Sequence, residues 1–312
     1  MASESKKTVL FALTANLVIA LAKLIGGVIS GSAAMLAEAA HSVADTMNQV
    51  FLLLSLSLGR RQPDEKHPFG YGKERFFWGL IAAVFIFVSG AVFSIGEGIE
   101  RLVAGGESGD PLVAYAVLAV ALVAEGVAWL RALRQMRGEA READMPLRRY
   151  VRVSRDPTVK TALSEDTAAV VGVLLAFLGI GLAELTGSHV WDAGASIAIG
   201  LVLAVVAFLL ARDTKGLLLG EAAQEEERRR IRETITAHDE VADLLELLTM
   251  AIGPDSLLVA ARLDMRPGLS EADVEQAAER IDRSVRDAVP DVKEVFLDPT
   301  SVRERTRGRG SR

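Results

Sequence analysis

Apolar residues gather along the first two thirds of the chain into six runs, at about 9–29, 35–58, 77–100, 112–133, 161–183 and 190–212. Each is close to the ~20 residues a helix needs to cross a bilayer, so the pattern predicts six transmembrane helices. The connections alternate in character. Those at 59–76 and 134–160 are rich in Lys and Arg, whereas 30–34, 101–111 and 184–189 hold only Arg101. Basic connections stay on the cytoplasmic side, so both termini are expected there, in agreement with an even number of spans. Lys6 and Lys7 ahead of the first run could suggest a secretory signal. The run from Thr8 to Ile29 is too long for a signal core, however, and it contains Asn16 and Lys23, which suit a helix packed in a bundle.

Past Arg212-Asp213-Thr214-Lys215 the pattern becomes that of a soluble domain. Residues 223–237 read as a helix with an exposed charged face. Apolar runs at 244–252 and 256–265 flank the turn Gly253-Pro254-Asp255-Ser256, which predicts a hairpin. Ser270-Glu271-Ala272-Asp273 has the form of a capping box opening a second helix that ends near Val289, before Pro290, and Val292 to Leu297 make a third strand. The order helix, strand, strand, helix, strand implies a small α+β domain of ferredoxin-like type. The expected division is a membrane domain over 1–212, a cytoplasmic α+β dimerisation domain over 213–300, and a disordered Arg- and Gly-rich tail over 301–312.

Composition sharpens this picture. Of 312 residues, 50% are hydrophobic and 24% charged, with a mean hydropathy of +0.29, so the charges must be segregated from the apolar runs. The net charge of -6, with basic residues at membrane flanks and in a short tail, gives no nucleic-acid-binding stripe. There is no cysteine, so a bound metal must be held by nitrogen and oxygen, which argues against Cu(I).

Ionisable residues inside the apolar runs carry the chemistry. Glu38-Ala39-Ala40-His41-Ser42-Val43-Ala44-Asp45 puts a histidine and two carboxylates in the second run, where each charge at the bilayer centre costs about 2.5–3.5 kcal/mol. On a helix His41 and Asp45 lie one turn apart, with Glu38 and Asn48 on the same stripe, which is half of a tetrahedral metal site. Glu165-Asp166 forms a second acidic pair in the fifth run. It reads either as a solvated helix N-terminus or as the other half of a convergent site; only one of two neighbours can face a given centre squarely.

With these residues in place, the chain resembles the cation diffusion facilitator family of metal transporters over nearly its whole length. The resemblance rests on Asn16, Lys23, Gly26-Gly27 and Ser30-Gly31-Ser32; on His41 to Asp45 as a His-x-x-x-Asp motif; on His67-Pro68-Phe69-Gly70-Tyr71-Gly72-Lys73; and on Asp298-Pro299. It implies homodimers that move Zn²⁺ and related divalent cations out of the cytosol, commonly in exchange for protons. It also implies a transport site of His41, Asp45 and Asp166. The family's fifth span usually supplies a further ligand four residues before that acid, where this chain has Ala162. Glu165 or a water is left for the fourth position, as in the branch that carries Glu-Asp-Thr-Ala-Ala, which includes the mitochondrial zinc transporter type.

Other positions follow the resemblance in part. Asp64 and His67 match two ligands of a second, loop-borne metal site, but Tyr71 replaces a further histidine, which favours a structural role for the loop. Lys73 matches a lysine that interlocks with an acid after the sixth span, here Glu221. The soluble domain's histidine-rich site is replaced by Leu245, Arg262, Val274 and Phe296, leaving Asp298 without histidine partners. His238 and His189 read as a helix-end and an interfacial residue, and Phe76-Phe77-Trp78 as an interfacial anchor.

The sequence reading is therefore an efflux transporter in a bilayer, expected in a bacterial inner membrane, with Zn²⁺ as substrate before Mn²⁺, Co²⁺ or Fe²⁺, and with metal and protons competing for one site by alternating access. Its rival is a non-transporting, membrane-anchored protein that regulates or binds a partner. No nucleophile or phosphate-binding loop supports an enzyme.

Overall fold

The computed structural model describes residues 2–105, 110–153 and 157–300; side chains at 2–12, 15, 152–153 and 157–162 are not described. The expected tail from Ser301 to Arg312 and the side chain of Ala162 lie outside the described residues. Two compact units emerge: one combines the chain up to Leu58 with Glu74–Lys215, the other Gly59–Lys73 with the chain from Gly216 onward. The loop after the second run thus belongs with the C-terminal unit, a grouping that the division at residue 212 did not anticipate.

The first unit is helical. Helices α1 (Ala2–Ser30) and α2 (Ala33–Gly59) precede a continuous stretch of α3 (Glu74–Phe85), a π-helical turn (Ile86–Val92) and α4 (Phe93–Ala104). There follow α5 (Pro111–Glu142), the short α6 (Leu147–Val153), α7 (Pro157–Thr186) and α8 (Val190–Leu218). Among the described residues four stretches are long and apolar enough to cross a membrane: Glu74–Ala104, Pro111–Glu142, Leu163–Thr186 and Val190–Leu218. The other two expected spans are helices of 29 and 27 residues, and at about 1.5 Å per residue both have the length to cross. Polar residues on one face of α2 lower its average hydropathy. The 134–160 connection, expected as a loop, is helical over much of its length, because α5 continues to Glu142.

Small side chains set the spacing. Ala34, Ala37, Ala44, Ala168 and Ala176 are buried in the core beside Val173, Ile199 and Leu203. Where the π-helical turn and α4 meet α8, a Cβ on Gly98 would lie 2.8 Å from the Ala193 carbonyl oxygen, and one on Gly200 would lie 2.9 Å from that of Ala91. Glycine at both places lets the two backbones approach, the usual means of tight helix contact in lipid. Large apolar side chains such as Val18, Val103, Val120 and Phe208 point outward, as a lipid-facing surface requires. Phe76, expected as an interfacial anchor, is fully buried, while Trp78 stacks on Phe51 at 5.9 Å and donates to Glu74.

In the second unit α9 (Glu225–Thr236) leads into β1 (Val241–Gly253), β2 (Ser256–Met265), α10 (Glu271–Ala288) and β3 (Val292–Pro299). The sheet order is β1-β2-β3, with β1 and β2 antiparallel and β2 and β3 parallel. Leu257, Val259, Ala261 and Leu263 of β2 alternate into the core, where Ile231, Ile235, Ala277 and Ile281 of the two helices are also buried. Ser270 and Asp273 close the capping box foreseen for α10. This agrees with the element order read from the sequence.

Candidate functional site

The polar stripe of α2 begins at a cap completed by a residue of α8. Asp192 accepts from the Ser32 hydroxyl at 2.5 Å and from the backbone N–H groups of Ala33 at 2.7 Å and Ala34 at 3.4 Å, while Ser32 Oγ accepts from Met35 N–H at 3.1 Å. The first-turn donors at 33, 34 and 35, which no intrahelical carbonyl can reach, are thereby satisfied in a buried setting. A carboxylate at a helix N-terminus also opposes the positive end of the dipole. This cap fixes where α2 starts, and hence which face carries the residues beyond it.

That face is buried at Glu38, His41, Ser42, Thr46 and Asn48. His41 is only 1% exposed, and its Nε2 lies 3.6 Å from Asp45 Oδ2. Among the described residues neither imidazole nitrogen makes a hydrogen bond, and Asp45 Oδ1, Asn48 Oδ1 and Gln49 Oε1 are likewise buried without one. Buried polar atoms are nearly always paired, so this run of unsatisfied lone pairs on one stripe is chemically expensive. From α7, Glu165 Oε2 accepts from Asn48 Nδ2 at 2.5 Å, which ties the two polar helices together, while Glu165 Oε1 has no donor. Asp166, beside it, is half-buried and acts on Asp45 electrostatically. The structure thus pairs His41 with Asp45 and Asn48 with Glu165. Among the described residues no three or more His, Asp or Glu side chains are gathered closely enough to hold a metal ion.

Glu38 turns to a different task. Its Oε2 accepts from Lys23 Nζ at 2.8 Å, and the same ammonium donates to Glu125 Oε1 at 2.5 Å. A Cβ on residue 172 would collide with Glu38 Oε1, so Gly172 of α7 makes the room for this carboxylate. Sequence reasoning placed Glu38 on the metal-facing stripe and did not single out Glu125, Gln49 or the Asp192 cap. Glu125 was discoverable: it is the one acid within the apolar run 112–133.

The accessory positions, His189 apart, fall within the second unit. Asp64 Oδ1 accepts from the backbone N–H groups of Lys66 at 3.0 Å and His67 at 2.7 Å, and Tyr71 OH donates to Asp64 Oδ2 at 2.6 Å. These donors hold the Asp64 carboxyl below its usual range, the Tyr71 hydrogen bond foremost. Both oxygens serve the loop's own fold, and His67 packs its ring on Tyr71 at 4.3 Å. Lys73 Nζ donates to the carbonyl of Leu218 at 3.5 Å rather than to Glu221, the partner expected for it. Arg262 reaches Asp298 at 2.8 Å and Glu246 at 2.9 Å, and Thr300 donates to Asp298 at 2.7 Å. His238 lies in the turn after α9, and His189 just ahead of α8.

Comparison with known proteins adds the following. The cation efflux transmembrane domain matches residues 9–219. The human mitochondrial proton-coupled zinc antiporter SLC30A9 is 34% identical over 282 residues, 88% of this chain and 50% of that protein. Metal tolerance protein C4 of Arabidopsis thaliana is 33% identical over 235 residues, 75% of this chain and 51% of that protein. The manganese efflux system protein MneP of Bacillus subtilis (strain 168) is 26% identical over 307 residues, 95% of this chain and 97% of that protein. The chain therefore spans about half the length of the first two relatives.

Proposed function

The chain belongs to the cation diffusion facilitator family of cation efflux proteins, integral to the membrane, and from that premise we propose that it exports a divalent cation, Zn²⁺ first among the substrates, in exchange for protons. The observation that carries the reading is the α2 stripe: a buried His41 beside a part-buried Asp45, with neither imidazole nitrogen nor Asp45 Oδ1 hydrogen-bonded among the described residues. A nitrogen and carboxylate oxygens suit Zn²⁺, and Mn²⁺, Co²⁺ and Fe²⁺ accept the same donors. His41, Asp45 and Asp166 are the proposed ligands, with Glu165 or water fourth. Carboxylates must be ionised and imidazole neutral to ligate, so metal entry expels protons and proton entry expels metal. That antagonism at one site is what alternating access needs to couple the two fluxes.

In this reading α1, α2, α3 with α4, α5, α7 and α8 form six spans beside a ferredoxin-like domain, and two chains pair as a homodimer. The basic connections support cytosolic termini. The proposed location is a bacterial plasma membrane. Asp64 and His67 are assigned to loop structure, because the loop's own donors engage Asp64. The reaction is transport, without covalent turnover. Asp45→Ala should abolish zinc flux in vesicles while the protein still assembles; flux at the wild-type rate would remove Asp45 from the ligand set.

The absence of three gathered donors among the described residues favours one second reading, a membrane-anchored regulatory or partner-binding protein. It is separated from the first by metal-dependent flux through purified protein.

A further inference from the structure

Three ionisable side chains from three helices meet within the first unit, apart from the His41–Asp45 pair. Lys23 of α1 is fully buried and donates both to Glu38 of α2 and to Glu125 of α5. One ammonium therefore faces two carboxylates. Each carboxylate has a second oxygen, Glu38 Oε1 and Glu125 Oε2, that is buried without a hydrogen-bond donor among the described residues.

The charge balance of this triad has a consequence. With all three groups ionised it would hold one uncompensated negative charge in a setting of low dielectric, which is strongly unfavourable. A proton on either carboxylate makes the triad neutral and gives an orphaned oxygen a hydrogen. The further ionisable groups on the polar faces of α2 and α7 are His41, Asp45, Glu165 and Asp166; three of the four are acids, and none supplies a fixed positive charge. Glu38 lies three residues before His41, a rise of about 4.5 Å along α2. A divalent charge arriving at His41 and Asp45 would act on the triad at short range and reverse that preference.

Resting on the antiport reading above, we propose that Lys23, Glu38 and Glu125 form a separate proton-binding site, in which the two glutamates share one proton around a fixed lysine and release it when metal binds. Proton transfer requires no further reactant: the carboxyl O–H bond breaks, the proton leaves to water, and the carboxylate keeps the electron pair.

The site predicts a specific equivalence. In Glu125→Gln, Glu38 remains as a neutral ion pair with Lys23; in Glu38→Gln, Glu125 does. Either variant loses the need for the shared proton while keeping the charge balanced, so both should fold. The test is proton release on adding ZnCl₂ to the purified full chain in weakly buffered solution, read with a pH indicator, alongside zinc-driven proton movement in vesicles. Each variant should release about one proton fewer per metal than wild type, with Glu125→Gln still binding zinc. A variant that releases as many protons as wild type overturns the triad as a proton site. Wild-type vesicles that move zinc without any proton movement overturn the antiport reading itself, and this proposal with it.

Discussion

Glu165 is the residue whose role separates the possible ligand sets most sharply. Its Oε2 is held by Asn48 at 2.5 Å while Oε1 has no donor, so a glutamine there would keep the hydrogen bond and remove only the charge. If Glu165 ligates, Glu165→Gln should weaken zinc binding about tenfold or more in a competition assay with a fluorescent chelator. Unchanged affinity would leave water as the fourth ligand. His41, Asp45 and Asp166 stand out as candidates in the sequence because an ionisable residue in an apolar run is costly. What Glu38 does was not legible, since its helical face is the same whether it serves a metal or Lys23. The choice depends on a lysine 15 residues earlier and a glycine on α7, neither of which a single-helix argument contains.

At the scale of elements, the order of helices and strands followed from periodicity, and boundaries marked by capping residues were the best defined. The hairpin at Gly253-Pro254-Asp255-Ser256 and the Ser270 cap lie where turn and cap chemistry put them. The start of α2 was different, because Ser32 is local but Asp192 is 160 residues away. Asp192→Ala should destabilise the protein by about 1–2 kcal/mol, seen as a lower melting temperature in detergent, and Asp192→Asn should recover part of the loss by still accepting from Ala33 N–H. Equal melting of wild type and Asp192→Ala would show that the cap is not holding α2.

The second unit offers a pH test. The Arg262 guanidinium and Thr300 hydroxyl hold the Asp298 carboxyl below its usual range, Arg262 foremost. A carboxyl lowered in the folded state contributes stability above its unfolded value, near 3.9, and that contribution fades as pH falls through the lower folded value. Arg262→Gln should therefore narrow the gap in thermal stability between pH 6 and acid conditions. The effect should be small, because the pair is exposed and screened. An unchanged gap would mean that Asp298 contributes nothing to acid sensitivity.

For the molecule as a whole, the change in hydrophobic pattern near residue 212 suggests a division there, whereas the two compact units also group Gly59–Lys73 with the chain from Gly216 onward. A basic, glycine-containing connection carries no periodic signal; its attachment comes from contacts made only after folding, such as the edge-on packing of Phe69 against Phe296 at 6.3 Å. Transport belongs to this same scale, since it needs opposed ion preferences and a bilayer. The decisive measurement is uptake of Zn²⁺, Mn²⁺, Co²⁺ and Fe²⁺ into proteoliposomes with and without an imposed pH gradient, comparing wild type with Asp166→Ala. Uptake should be gradient-driven, greatest for Zn²⁺ and lost in the variant; well-folded wild-type protein that moves none of these ions would rule transport out.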